Sequence, residues 1–159
     1  MLEKYMTVFF ISMVPLIELR GAIPYSTVMG LPLFQSYIVA ILGNMLPVPI
    51  IYLFARKVLE WGADKPVIGG FFSWCLEKGR RGGEKLQAKA GQGLFIALLL
   101  FVGVPLPGTG AWTGTLAASL LDIDFKSSIL AVMGGVLVAG VIMGLASAGL
   151  LGALQSVIF

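Results

Sequence analysis

The sequence contains no histidine, a single cysteine and few charged residues. Of its 159 residues, 12% are charged, whereas an ordinary soluble domain carries roughly 25%. The lone Cys75 excludes a disulfide framework within the chain. The missing histidine removes the side chain most often used for metal binding and general-base catalysis. We therefore expect neither an enzyme nor a bound cofactor.

Apolar residues take the place of the missing polar ones. The chain is 58% hydrophobic and has 21 glycines, and its mean hydropathy is +0.96. Glycine in so apolar a chain is typical of helices that pack closely in a membrane. The sequence predicts one all-α membrane domain over residues 1–159 that crosses the bilayer more than once.

Several apolar segments are too short to cross a bilayer, since a span needs about 20 residues. The four short pieces cover residues 5–17, 22–31, 93–104 and 111–121. The first two flank the charged stretch PLIELRGAIP, and the last two flank PLPGTG. Each pair forms either a re-entrant helical hairpin, over 5–31 and over 93–121, or one kinked span. We favour the hairpins because the chain repeats itself.

The two halves of the chain resemble each other. An offset of 89 residues places Gly21 on Gly110, and after two inserted residues Gly43 falls on Gly134. In each half a hairpin is followed by a tight turn and a longer helix, over 33–55 or 126–148. Interrupted short segments at matching positions of two halves indicate a transporter binding site. The predicted units are repeat one (1–58), a linker (59–92) and repeat two (93–159), which ends in a C-terminal helix.

The linker orients these units. Eight of the eleven basic residues lie between Arg56 and Gln92, so the positive-inside rule places the linker in the cytoplasm. The first repeat then begins outside and the second begins inside, which makes an inverted repeat with two opposed hairpin tips. Residues 67–75 are apolar and aromatic, and predict either an amphipathic segment on the anionic leaflet or a plain solvated loop.

Glu18 and Arg20 are the charged residues of the first tip. A charge at membrane depth costs roughly 3 kcal/mol, so both side chains must face protein or a water-filled cavity. We expect a helix to begin near Ala22, after Gly21 and with Pro24 in its first turn, and to direct its amide end at the site.

The second tip repeats this arrangement without charges. Thr109 and Gly110 precede a helix that starts at Ala111 and includes Thr113. Two helix N-termini together with Arg20 form a seat for an anion, such as a phosphate or carboxylate headgroup.

The role of Glu18 has three alternatives. It serves as a proton carrier, as the counter-ion of Arg20, or as the anchor of a cationic substrate. A purely structural alternative is that Glu18 and Arg20 neutralise each other and hold the bend closed.

Other polar residues are expected to be structural. Trp112 is a packing or interface residue, and Asn44 makes a helix–helix hydrogen bond. Asp122 and Asp124 are expected to cap helices.

Two stretches, PLIELRGAIP (15–24) and GVPLPGTGAWTG (103–114), resemble the paired signature of the small multidrug export family of prokaryotic membrane proteins. That family is similar in layout to the DedA/VTT superfamily, in which two re-entrant hairpins face each other. Members of that superfamily are linked to lipid movement and proton-dependent drug tolerance.

The resemblance implies a multi-pass protein of the inner (plasma) membrane. It implies site roles for Glu18 and Arg20, and in the second hairpin for Pro105, Pro107 and Gly108. DedA proteins typically carry an arginine in the second hairpin, whereas the charge-free second tip here has Thr109.

These observations predict a small proton-coupled transporter. Its expected partners are membrane lipids, protons and an amphipathic organic molecule or a lipid with an anionic head, and no nucleic acid. A homodimer is expected, because a chain of this size does not readily enclose a polar pathway. The alternative is a non-transporting scaffold or assembly factor whose basic linker recruits a partner, and an enzyme acting on lipid phosphates comes third.

Overall fold

The computed structural model describes residues 1–74, 76–77, 93–106 and 108–158 of the chain, and all regular structure in these residues is helical. The helices are α1 (Leu2–Met13), α2 (Glu18–Val28), α3 (Leu33–Met45), α4 (Pro47–Ala63), α5 (69–74), α6 (Gly93–Gly103), α7 (Ala111–Leu120) and α8 (Phe125–Ile158).

Helices α1 and α2 run antiparallel and form a hairpin. Val14 precedes Pro15 and is extended, as the clash with the proline ring requires, so α1 ends at Met13. At the other end of the hairpin, Lys4 Nζ donates a hydrogen bond to Met29 O at 3.1 Å. The start of α1 therefore lies beside the end of α2.

Helices α6 and α7 form a second antiparallel hairpin. A Cβ at Gly114, in the first turns of α7, would meet Val102 near the end of α6. Leu94 at the start of α6 and Leu121 just after α7 line one cavity at the opposite end.

Both hairpins end in a Schellman motif, in which a left-handed residue follows the helix. Gly30 (φ 68) ends α2, and Leu31 N–H donates to Ser26 O at 3.0 Å. Asp122 (φ 54) ends α7 in the same way. Asp122 therefore caps α7 through its backbone, while its side chain pairs with Arg56.

Asp124 is the helix cap that the sequence predicts. Its Oδ2 accepts a hydrogen bond from Ser127 N–H at 2.9 Å, in the first turn of α8. The tight turn between α7 and α8 therefore contains two aspartates: Asp122, which pairs with Arg56, and Asp124, which caps α8.

Among the described residues, two stretches are long and apolar enough to cross a membrane. They are Leu33–Ala63, in which α3 continues into α4, and Phe125–Leu150 of α8. With a rise of 1.5 Å per residue, the first is about 46 Å long. The long helices expected at 33–55 and 126–148 lie within these stretches.

The α3–α4 helix connects the bases of the two hairpins. At its start, Tyr5 Oη donates to the side chain of Gln35, beside the base of the first hairpin. Near its other end, Arg56 reaches Asp122 at the base of the second hairpin. The two bases therefore lie at opposite ends of the molecule, with the two tips between them.

Helix α8 runs in the opposite direction. The rings of Tyr52 and Phe125 meet edge to face at 5.2 Å near its start. Further along, Tyr37 Oη donates to Leu137 O at 2.9 Å, and Gly144 lies within van der Waals reach of Leu33. Helix α8 therefore returns to the base of the first hairpin.

Matching glycines let each short helix lie against a long one. A Cβ at Gly43 of α3 would collide with Phe9 and Ser12 of α1, and a Cβ at Gly134 of α8 would collide with Leu99 of α6. Gly43 and Gly134 are the pair that the two halves of the sequence align.

Two expectations about the first half are wrong. Helix α2 begins at Glu18 rather than near Ala22, so Pro24 lies inside the helix and not in its first turn. The chain breaks at Pro15 instead of at Gly21. Asn44 is 2% exposed and its Oδ1 has no hydrogen-bond partner among the described residues, so the expected helix–helix hydrogen bond is not formed.

The described start of the linker folds back on α4. Helix α5 brings Phe72 against Gly62 and leaves Phe71 and Trp74 exposed. The plain-loop alternative is therefore wrong for residues 69–74. Cys75 and most of the basic linker residues lie outside the described residues.

Replacing Asp124 tests the cap on α8. The Ser127 amide holds the pKa of the Asp124 carboxyl below its ordinary value, so the cap stabilises the fold fully above the unfolded pKa of about 3.9. Stability is lost as pH falls through the lowered folded value. We expect Asp124→Ala to lower the melting temperature in detergent at pH 7, while Asp124→Asn, which still caps, changes it little. An equal loss in both variants would contradict a capping role.

Candidate functional site

The carboxylate of Glu18 lies on the N-terminus of α7. Glu18 Oε2 accepts a hydrogen bond from Ala111 N–H and Oε1 accepts one from Trp112 N–H, both at 3.0 Å. The side chain is buried, with 4% of its surface exposed. An anion is stabilised at a helix N-terminus by the unpaired amides and by the helix dipole. Glu18 of the first hairpin thus caps a helix of the second.

Arg20 binds the other side of the same break. Its Nη1 donates to Leu106 O at 2.5 Å, and its Nη2 donates to Val102 O at 3.3 Å, Val104 O at 3.2 Å and Thr109 Oγ1 at 2.7 Å. Val102 and Val104 lie at the C-terminal end of α6. Carbonyls at a helix C-terminus lack intrahelical donors and attract a cation. Arg20 therefore caps the C-terminal end of α6.

Within the described structure no ion pair joins Glu18 to Arg20. Each charge is instead stabilised by the helix end of matching polarity, across the break between α6 and α7. Glu18 and Arg20 therefore hold the break closed by binding opposite sides of it rather than by pairing directly with each other. It also places the protein's own carboxylate in the anion seat that was expected at the start of α7.

Gly110 allows this close approach. Its φ of 131° lies in a region that side chains rarely adopt, and a Cβ there would collide with the Glu18 carboxylate. Gly108 also has a positive φ, 80°, but open space surrounds the position of its Cβ.

Trp112 adds a third link between the tips. Its indole Nε1–H donates to Met13 O at 3.1 Å, at the end of α1. This bond supports the expected packing role, and the backbone amide of Trp112 also binds Glu18.

The remaining sequence-predicted residues are more scattered. Gly21 packs against the Ile17 side chain, and Pro105 lies between two carbonyls that Arg20 binds. Pro24 lies further along α2, and Thr113 lines a groove against α4. Pro107 lies outside the described residues.

Sequence reasoning missed the backbone groups that bind Arg20. Their signal was present, because an apolar helix that stops before Pro105 leaves its last carbonyls without donors from the same helix. A cation elsewhere in the chain was the natural partner. Among the described residues no cluster of three His, Cys, Asp or Glu side chains could hold a metal ion.

The fold and this site define an all-helical membrane protein whose two hairpins are held together by a buried carboxylate and a partly buried guanidinium. The family model described as "Putative small multi-drug export protein" matches residues 18–142. The chain belongs to that family. No curated protein and no solved structure matches it. The family assignment agrees with the resemblance seen in the two tip motifs.

Replacing Gly110 tests the contact with Glu18. Gly110→Ala adds backbone strain and displaces the carboxylate from two charge-assisted hydrogen bonds, each worth about 1.5–3 kcal/mol. Gly108→Ala adds only the strain of a positive φ, about 1–2 kcal/mol. We expect Gly110→Ala to lower the melting temperature in detergent clearly more than Gly108→Ala. Equal losses would show that Glu18 contributes little to joining the tips.

Proposed function

We propose that the protein is a proton-coupled transporter whose substrate passes between the two hairpin tips. The observation that carries the proposal is Glu18, an ionisable side chain buried in the middle of an apolar protein and bound to helix α7. An intramembrane carboxylate is costly and is typical of proton relays and substrate pathways. Membership of an export family agrees with this proposal.

The proposed architecture is an inverted repeat of two re-entrant hairpins in the plasma membrane. The opposite placement of the two hairpin bases supports it, as does the shared Schellman motif at Gly30 and Asp122. With the basic linker in the cytoplasm, the first hairpin enters from the outside and the second from the inside. Both tips then lie near the midplane, where broken helices bind substrates in other transporters.

Protonation of Glu18 supplies the proposed coupling step. The charged carboxylate binds two amides of α7 strongly, and its neutral form loses the charge-assisted part of both hydrogen bonds. A proton therefore weakens the link between the tips and frees the α7 N-terminus. An amphipathic molecule with an anionic head then competes with Glu18 for the same amides. Alternating release and recapture of Glu18 exposes the tips to one side and then to the other.

Flux in proteoliposomes tests the role of Glu18. The probes are ethidium, an amphipathic cation, and a fluorescent phosphatidic acid, an anionic lipid, each with and without an imposed pH gradient. We expect the gradient to change the flux of at least one probe in the parent protein and to have no effect in Glu18→Gln. Glu3→Gln, which removes an exposed carboxylate, is the matched control and keeps the gradient dependence. Gradient-dependent flux that persists in Glu18→Gln would remove this residue from the mechanism.

A non-transporting scaffold is the second candidate. The burial of Glu18 favours it, because a closed tip without access to water is what a scaffold requires. The two functions differ in whether the tips open during a working cycle.

Cysteine labelling separates these two functions. Cys75 is the only cysteine, so Cys75→Ser provides a cysteine-free background for Thr109→Cys at the tip. Ala118→Cys, at a fully buried position of α7, is the control. We expect a membrane-impermeant maleimide to label position 109 from both faces of the membrane, and position 118 from neither. Position 109 left unlabelled from both faces would favour the scaffold.

A further inference from the structure

A groove between α4 and α7 leads away from the tips. It has a volume of about 440 Å³, and its wall includes Pro15 of the first tip, Ile50, Phe54 and Ala55 of α4, and Trp112 and Thr113 of α7. Trp112 belongs both to this groove and to the site, since its amide binds Glu18. The α4–α7 groove is therefore continuous with the place where the tips meet.

The side of the groove formed by α4 is apolar and open to the surroundings. Ile50, Phe54 and Val58 lie one turn apart on one face of α4 and are each more than half exposed. From Ile50 to Val58 this face is about 12 Å long, at 1.5 Å per residue. In a bilayer it would contact hydrocarbon, so an apolar chain can enter it sideways from the lipid.

Cations lie beside the groove on α4 and just beyond it along the chain. Lys57 Nζ lies 5.8 Å from the centre of the Phe54 ring, which lines the groove. Further along the chain, Lys65 Nζ lies 4.4 Å from the centre of the Trp61 ring. Lysine and tryptophan together are typical of the membrane–water interface. The groove thus runs from a basic rim at Lys57 to an apolar inner end at the first tip, where Trp112 is partly buried and Pro15 is exposed.

We propose that the α4–α7 groove binds an amphiphile with an anionic head and a single hydrocarbon chain. The head lies at Lys57, and the chain lies along α4 with its end near Trp112. Charge complementarity at the rim favours an anion over a cation, and the apolar wall favours a hydrocarbon chain over a polar one. This inference rests on the proposed function only in treating the ligand as cargo, because binding to the groove is measurable without transport.

A second groove provides an internal control. It has a volume of about 380 Å³ and lies between the start of α3 and α8, with Leu33, Tyr37 and Gly144 in its wall. It is equally apolar, but its wall contains no residue of the tips. A ligand that only coats the protein as bulk lipid would enter both grooves.

Fluorescence quenching of Trp112 tests the proposal. The protein has three tryptophans, so Trp61→Phe with Trp74→Phe leaves Trp112 as the only reporter. The probes are 9,10-dibromostearate, which is anionic at pH 8, and its neutral methyl ester, both added to the protein in phosphatidylcholine vesicles. We expect saturable quenching by the acid and weaker quenching without saturation by the ester. Lys57→Gln should raise the half-saturating concentration of the acid about three- to fivefold, as expected for one exposed ion pair.

Filling each groove in turn locates the chain. Ala55→Phe narrows the α4–α7 groove and should remove most of the saturable quenching, while Gly144→Phe in the second groove should leave it unchanged. Ala55→Leu, a smaller change, replaces Ala55→Phe if the latter does not fold. Equal quenching in both groove variants, or saturable binding that is indifferent to the headgroup charge and to Lys57, would overturn the proposal. Glu18→Gln distinguishes the two proposals. If this variant loses coupled flux but still binds the acid, the groove binds its ligand independently of transport.

Discussion

The break between α6 and α7 is the constraint on which the rest of the structure depends. It leaves amides at the start of α7 and carbonyls at the end of α6 without partners in their own helix, and in apolar surroundings each unpaired group costs several kcal/mol. Glu18 accepts hydrogen bonds from the amides, and Arg20 donates hydrogen bonds to the carbonyls. Because the two charges are only two residues apart, they fix the first hairpin tip on both sides of the break at once.

The long helices hold this junction in place. The α3–α4 helix reaches from the base of one hairpin to the base of the other, and α8 returns in the opposite direction. Gly43 and Gly134 allow the short helices to approach the long ones closely. Each hairpin thus extends from one end of the molecule to its centre, where charge-assisted hydrogen bonds join the two tips.

Much of this arrangement could be predicted from composition and from breaks in the apolar pattern. Proline and glycine indicated where short helices stop, and Asp124 was identifiable as a cap because it stands just before a long apolar run. The helix start at Glu18 was missed, because a glutamate in a left-handed conformation (φ 51) opens α2 under tertiary constraint. The amides that Glu18 binds lie 93 and 94 residues away in sequence. The local sequence pattern therefore predicted that Glu18 and Arg20 belong to the site, but it did not predict which groups they bind.

The contact between Gly110 and Glu18 also limits which residues can occupy either position. A bulkier residue at 110 would occupy the volume that the carboxylate now fills. A shorter acid at 18 would leave that volume empty and the helix amides out of reach. Glycine at 110 is therefore required on two grounds, by its φ of 131° and by the carboxylate at 18. Any larger residue there would push the two hairpins apart.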